Sequence, residues 1–450
     1  LLLMKKYDII VIGSGMAGMT IANKCAKKGL KTAITDSRPY GGTCALRGCD
    51  PKKILVGAAE IIGRADKMSG IGISGDISIN WEDLMAYKND FVSKMPKGVE
   101  KGYEKAGVKK YHGVASFESE NTVRIGNDLL EGGKIVIATG ARPVTLDITG
   151  GDLPIDSTDF LNLEKLPEHI TFVGGGYIAM EFAHLAARAG SKITIFHRGA
   201  RPLENFDEHI VKHLVKATKD LGILLHVETE VIGIEKDGDQ FIVFTKSSNG
   251  EQTHHTDLLV NAAGRVPELD GMNLEKASIA YNKKGIEVNE YLQSESNPTV
   301  YAAGDAANSN GLNLTPVAVM EGHAVAANII RGNSKVPDYT EMPSAVFTLP
   351  TLAAVGMTEK QAKELDVEYQ VKSASASNWY NAKRINESTY AYKVISHKDG
   401  HILGAHIIGP HAEEMINLFA MAIRGKLKVA DIRNMVYSNP SMGSDIGSMV

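Results

Sequence analysis

The sequence predicts an α/β fold: two doubly wound nucleotide-binding domains, with a smaller α+β domain at the C-terminal end. A strand that runs into a glycine-rich turn and then a helix occurs twice, at residues 7–29 and 169–190. Each copy is followed by a further β-branched strand, which closes a right-handed strand-helix-strand crossover. From about residue 340 the texture changes to alternating strands and one amphipathic helix.

In the first copy the apolar run YDIIVI reads as a strand, GSGMAG as a tight turn, MTIANKCAKKG as a helix and KTAITD as the next strand. In the second copy the strand HITFV ends near Val173, and a helix runs to about Ala189 before Gly190 stops it. SKITIFHR then supplies the returning strand. Past residue 340, TYAYKVIS and ILGAHIIG read as strands and AEEMINLFAMAIRG as the helix that covers them.

At 450 residues the chain exceeds the size at which one core keeps growing, so two to four domains are expected. A hydrophobic share of 43% and a net charge of -4 give no electrostatic reason to bind nucleic acid. No apolar run approaches the roughly 18 residues that cross a bilayer, so no membrane partner is expected. The opening Leu1-Leu2-Leu3 before Met4 reads as a remnant rather than a signal peptide, and the expected location is cytoplasmic.

The glycines carry the first chemical signal. In Gly13-x-Gly15-x-x-Gly18 the first permits the turn, the second lets the backbone approach a pyrophosphate and the third lets the helix pack closely. Asp36, at the end of the following strand, is placed to accept hydrogen bonds from ribose hydroxyls. Gly174-Gly175-Gly176 with Ala179 repeats the logic, so a second nucleotide is expected. At the corresponding strand end stand His197 and Arg198, with Arg201 close by, in place of a carboxylate. A cationic cluster suits a 2′-phosphate, which favours NADPH over NADH.

Three cysteines cannot form a disulfide scaffold. Cys25, in the first helical pattern, reads as a small core residue. Cys44 and Cys49 stand five apart in GGTCALRGCDPKK, a rise of about 7.5 Å on an ideal helix, beyond the roughly 6.8 Å of disulfide Cα atoms. A bond therefore requires a distorted turn, and Gly48 is placed to allow one. Two unpaired thiols or a metal half-site are the other readings, and no matching Cys or His pair stands at ligand spacing nearby.

These residues resemble the class I flavoprotein disulfide reductases, which include glutathione reductase, dihydrolipoamide dehydrogenase and mercuric reductase. The resemblance covers nearly the whole chain. It rests on the first glycine motif, GGTCALRGCDPKK, IVIATGARP, GGGYIAMEFA, TVYAAGDAA, LTPVAVMEG and FTLPTLAAVGMTEKQA. It implies an FAD-binding domain in two parts, residues 1–147 and 265–335, an inserted NAD(P)-binding domain at 148–264 and a dimerisation domain at 336–450. FAD is then expected along Gly13, Gly15, Gly18 and Asp36, with Gly42, Thr43, Thr139, Gly140, Gly304, Asp305 and Thr315. The nicotinamide nucleotide is expected along Gly174, Gly176, Ile178, Arg198, Arg201 and Gly264. The resemblance implies that Cys49 faces the flavin and Cys44 the substrate, that Tyr177 covers the flavin as a lid, and that Glu181 pairs with Lys52 or Lys53. It also implies a homodimer whose C-terminal segment reaches the partner's disulfide.

The chain departs from its relatives near the C-terminus. Asn439 stands where members that reduce thiol disulfides carry a histidine, Ser444 stands at the position of the glutamate that orients it, and Asp445 is one residue later. Asparagine hydrogen-bonds but cannot carry the proton. Asn23 and His323 align with arginines that hold glutathione carboxylates, which makes glutathione a poor candidate. No cysteine follows Cys49, so mercury delivery by a C-terminal pair is not expected. The expected activity is transfer of a hydride from NADPH through flavin to Cys44–Cys49 and on to a small disulfide or other electrophilic oxidant. The rivals are a quinone, metal-ion or oxygen reductase, and a redox-sensing or non-catalytic flavoprotein subunit.

Overall fold

A computed structural model describes residues 4–450; the Leu1-Leu2-Leu3 opening lies outside the described residues. The chain divides into two compact units. The first takes in the residues up to 52 with 87–144 and 265–339, and the second takes in 53–86, 145–264 and 340–450.

In the first unit the strand Lys5–Ile12 lies between the parallel strands Thr32–Asp36 and Asp128–Ile137. Lys109–His112 extends the sheet beyond Thr32–Asp36, and Val300–Ala302 pairs in parallel with Asp128–Ile137. The run of isoleucine and valine in the central strand is continuous because both of its faces are covered. Ile9 and Val11 pack with Ile21, Cys25 and Val325 on one side, and Ile10 and Ile12 pack with Ile135, Leu274 and Val300 on the other. Each such side chain contributes roughly 1.5–3 kcal/mol by leaving water. Cys25 is fully buried, and burial pushes its thiol up to about 12, as befits a small core residue.

The second unit holds a four-stranded parallel sheet in the order Leu224–His226, Lys192–Phe196, His169–Val173, Leu258–Asn261. A three-stranded antiparallel sheet, Glu230–Asp237, Gln240–Ser247 and Gly250–Thr256, accompanies it. From Ser344 onward a five-stranded antiparallel sheet is covered by the helix Ala412–Arg424. That helix turns Ala412, Met415, Ile416 and Phe419 into the core, the three- and four-residue spacing of an apolar helical face. The two expected crossovers and the α+β region are thus all present, and the fold class is as the sequence predicts. Among the described residues no helix is long and apolar enough to cross a membrane.

Candidate active site

The first glycine loop joins Lys5–Ile12 to the helix Met16–Lys27. Gly13 has φ +105°, and a Cβ there would stand 2.2 Å from the carbonyl oxygen of Ala138. A Cβ on Gly18 would stand 2.0 Å from the Gly13 oxygen, whereas one on Gly15 would meet nothing within 4 Å. Two glycines therefore serve packing, and the middle one leaves open backbone at a helix N-terminus, where an anion is favoured. Asp36 is fixed from this loop: its Oδ2 accepts from the Ser14 N–H at 2.9 Å and the Ser14 hydroxyl at 2.6 Å, and its Oδ1 accepts from the Arg38 N–H. Gly42 reaches the same loop, since a Cβ there would lie 2.4 Å from the Gly15 Cα. Thr139 follows the strand that ends at Ile137, and its buried Oγ1 has no hydrogen-bond partner among the described residues. An open backbone cradle and an orphaned hydroxyl fit a bound dinucleotide. Gly140 (φ +74°) and Gly304 (φ +68°) make turns in the same unit, and burial pushes the Asp305 carboxyl up while Arg265 opposes it.

The cysteines sit on either side of a broken helix. Gly42–Arg47 ends at Gly48, whose dihedrals of -145° and -116° are not helical, and a new helix begins at Cys49. Gly48 is required by contact: a Cβ there would come within 2.8 Å of the Thr43 oxygen. This is the distortion that the spacing demands. The side chains of Cys44 and Cys49 share a hydrogen bond. That bond, then burial, holds the Cys44 proton on, while the Thr315 hydroxyl works the other way. Thr315 opens the helix Thr315–Arg331, and its Oγ1 is 3.6 Å from the Cys49 sulfur.

Lys53 and Glu181 both lie in the second unit. The Lys53 ammonium binds Glu60 Oε1 at 2.5 Å and lies 4.5 Å from the Phe347 ring centre. Glu181 is buried, and its Oε1 accepts the Phe347 N–H at 2.8 Å. Lys53 is thus engaged by Glu60. Tyr177 begins the helix Tyr177–Arg188, stays 37% exposed, and packs edge-on against Phe206 at 5.5 Å.

The second glycine loop repeats the geometry of the first. Gly174 has φ +117° with a Cβ position 2.2 Å from the Ala262 oxygen, Gly176 opens onto free space, and Ala179 is fully buried. Ile178 lies in the first turn of the helix, and Gly264 makes a left-handed turn with φ +131°. His197 Nε2 is buried without a hydrogen bond among the described residues, with Glu204 Oε1 3.5 Å away. Arg198 is exposed on the wall of a cavity of about 620 Å³ that also meets Glu228, Glu230 and Lys246. The Arg201 guanidinium donates to the carbonyls of Leu203 at 3.1 Å and Glu204 at 2.6 Å, within its own loop.

Near the C-terminus, Ser444 Oγ stands 3.5 Å from Asn439 Oδ1. Asp445 is turned elsewhere, accepting from Asn381 Nδ2 at 2.9 Å and the Tyr390 hydroxyl at 3.0 Å, and burial pushes its carboxyl up. It therefore does not stand in for the missing glutamate. Among the described residues no group of three or more His, Cys, Asp or Glu is placed to hold a metal ion. Sequence reasoning missed Glu321, a carboxylate 1% exposed inside the first unit, although the segment that contains it was singled out.

Residues 7–322 match the pyridine nucleotide-disulphide oxidoreductase family, and residues 342–450 match its dimerisation domain. The chain is 32% identical to a glutathione reductase of Burkholderia cepacia over 98% of both chains. It is 30% identical to the dihydrolipoyl dehydrogenase of Bacillus subtilis over 97% of this chain and 96% of that one. Among solved structures, a Cu(II) complex of a cysteine-to-serine mutant of the HOCl-induced flavoprotein disulfide reductase RclA from Escherichia coli superposes with a TM-score of 0.88, at 28% identity over 99% of each chain. The duplicated glycine loops, the broken helix between Cys44 and Cys49 and these likenesses together assign the chain to the pyridine nucleotide-disulphide oxidoreductase family, as an FAD-dependent enzyme.

Proposed function

We propose that the enzyme uses NADPH to reduce the Cys44–Cys49 pair, which in turn reduces a small oxidant whose departing group needs no proton donor. The observation that carries this reading is the pairing of Asn439 with Ser444 while Asp445 is held by Asn381 and Tyr390. No acid then stands where relatives place one. FAD, when bound, supplies the step between a two-electron hydride donor and the disulfide. Gly13, Gly15, Gly18, Asp36, Gly42, Thr43, Thr139, Gly140, Gly304, Asp305 and Thr315 would hold it. Lys52 is the lysine we place beside the flavin, because Lys53 is engaged by Glu60. Tyr177, exposed at the start of its helix, serves as the lid over the flavin.

Of the two thiols, Cys44 meets the oxidant. Its thiolate attacks one sulfur of a disulfide, a mixed disulfide forms and the other half leaves as a thiolate. Cys49 then attacks the Cys44 sulfur, which releases the second thiolate and restores the Cys44–Cys49 bond. A general acid contributes about 10²–10⁴-fold to such a step, so alkyl disulfides should be slow and activated ones fast.

Arg198 favours NADPH, while Glu204, Glu228 and Glu230 nearby temper that preference. The dimerisation domain supports a homodimer in which Asn439 of one copy serves the cysteine pair of the other. A cytoplasmic setting suits a pair that must be re-reduced each cycle.

A second reading has support in the Cu(II) complex of the RclA mutant: the oxidant is a metal ion. Steady-state NADPH oxidation against alkyl disulfides, activated disulfides, quinones, Cu(II) and oxygen separates the readings. We expect activated disulfides to lead alkyl disulfides by about a hundredfold, and Asn439→His to narrow that gap. Rapid turnover of glutathione disulfide by the unmodified protein would sink the reading. If Cys44→Ser keeps every turnover, the flavin itself is the reductant.

A further inference from the structure

Glu321 lies on the helix Thr315–Arg331 of the first unit, and almost none of it reaches solvent. Its Oε2 accepts the Gly304 N–H at 2.7 Å, and its Oε1 accepts the Ser309 hydroxyl at 2.6 Å and the Tyr339 hydroxyl at 2.8 Å. Three donors converging on one carboxylate are the surroundings of an ionised group. Burial opposes ionisation and pushes this carboxyl up, with neighbouring Asp305 adding to it. Asp305, from the turn after Gly304, and Tyr339, from the segment after the helix, are the titratable groups that face it.

Room has been left for this arrangement, because a Cβ on Gly311 would come within 2.8 Å of Glu321 Oε1. A buried carboxylate is a poor way to gain stability, since a well-packed apolar side chain commonly does as well. Its value must lie in what it fixes. Gly304, with φ +68°, begins the turn Gly304–Ala306 that presents Asp305.

We propose that Glu321 is a positioning residue for the flavin: through the Gly304 N–H it fixes the turn that carries Asp305, and its charge behind that turn disfavours electron uptake. This rests on the reading that FAD lies against Asp305. A fixed negative charge near a group that gains electrons destabilises the reduced form, and low-dielectric surroundings strengthen the effect.

Glu321→Gln separates charge from geometry. The amide oxygen can accept from Gly304, and the two amide hydrogens can meet the oxygens of Ser309 and Tyr339 once both hydroxyls rotate. The purified flavoprotein is equilibrated with redox dyes at pH 7 and its bound FAD is titrated. E321Q should keep FAD and move the oxidised-to-reduced equilibrium about tenfold toward reduced flavin, about 30 mV for a two-electron couple. Glu321→Asp keeps the charge but is too short to reach all three donors, so it should hold the equilibrium and bind FAD about tenfold more weakly. An E321Q equilibrium within about twofold of the unmodified protein overturns the proposal. If E321Q does not accumulate, Tyr339→Phe decides: losing one donor favours the protonated carboxyl, so a smaller shift in the same direction supports the proposal and an unmoved equilibrium overturns it. An unmodified protein that takes up no FAD would instead sink the reading beneath it, and the proposal with it.

Discussion

Gly13 and Gly174 each donate a backbone N–H at 2.8 Å to a carbonyl near the end of the next strand, Thr35 in one loop and Phe196 in the other. Each also faces the carbonyl of an alanine, Ala138 or Ala262, at the same 2.2 Å from its Cβ position. The loops part company at the next residue. Ser14 sends its hydroxyl to Asp36, whereas Gly175 clears space for the His197 ring, which a Cβ would meet at 2.7 Å. Asp36 and His197 hold the same place relative to their loops, so one loop offers a pinned carboxylate and the other an imidazole beside an exposed arginine. Steric demands on the backbone set the shared scaffold, and the copies differ in one pair of side chains each, Ser14–Asp36 and Gly175–His197.

The largest effects should come from breaking what the loops share. Gly13→Ala and Gly174→Ala each add a Cβ to a left-handed residue and force it against a carbonyl, a cost of roughly 3–5 kcal/mol. The first variant should purify without flavin. The second should keep FAD, absorb in the visible region and fail to be reduced by NADPH. Loss of flavin from both would show that the two loops do not act separately.

Gly176→Ala should discriminate further. None of the described residues lies within 4 Å of the added methyl, so the melting temperature should stay near that of the unmodified chain. The methyl would occupy the approach to the helix N-terminus, and nucleotide affinity, read by titration of the reduced pyridine nucleotide, should fall by about ten- to a hundredfold. Unchanged affinity would mean that the pyrophosphate lies elsewhere.

Arg198→Ala tests the side chains that differ. A charged hydrogen bond to a 2′-phosphate contributes about 1.5–3 kcal/mol, so the apparent Michaelis constant for NADPH should rise by roughly tenfold or more, with NADH little affected. Arg201→Ala should do less, because that guanidinium already serves the carbonyls of Leu203 and Glu204. Equal catalytic efficiencies with the two nucleotides in the unmodified enzyme would refute the assignment.

Both loops were legible in the sequence because their signal is local: an apolar strand, glycines at fixed offsets, and a strand end a set distance on. The break at Gly48 was legible for the same reason, since five residues of helix cannot bring two cysteines together. What stayed hidden depends on partners far along the chain. Lys52 and Lys53 are adjacent, and Glu60 and Phe347, which meet Lys53, are set by the fold rather than by the motif. Glu321 reads as an ordinary helix charge until Gly304, Ser309 and Tyr339 close around it. The bonds from Arg201 to the carbonyls of Leu203 and Glu204 leave no pattern in residue types.

The smallest effect belongs to the hydroxyl that distinguishes the first loop. Ser14 is fully buried, and its Oγ donates to Asp36 at 2.6 Å and accepts the Gly41 N–H at 3.1 Å. Ser14→Ala removes both bonds and leaves the Gly41 donor unpaired, while Asp36 keeps the backbone N–H groups of Ser14 and Arg38. The change adds no atoms, so strain does not contribute. The expected loss is about 1–2 kcal/mol in chemical denaturation, because only one buried donor is orphaned and the carboxylate stays partly satisfied. FAD affinity should weaken about threefold, since Asp36 becomes freer to rotate, and binding of the nicotinamide nucleotide should not change. A variant as stable as the unmodified protein, with the same FAD affinity, would show that the backbone alone positions Asp36. The contrast between the Ser14–Asp36 and Gly175–His197 pairs would then have no bearing on nucleotide choice.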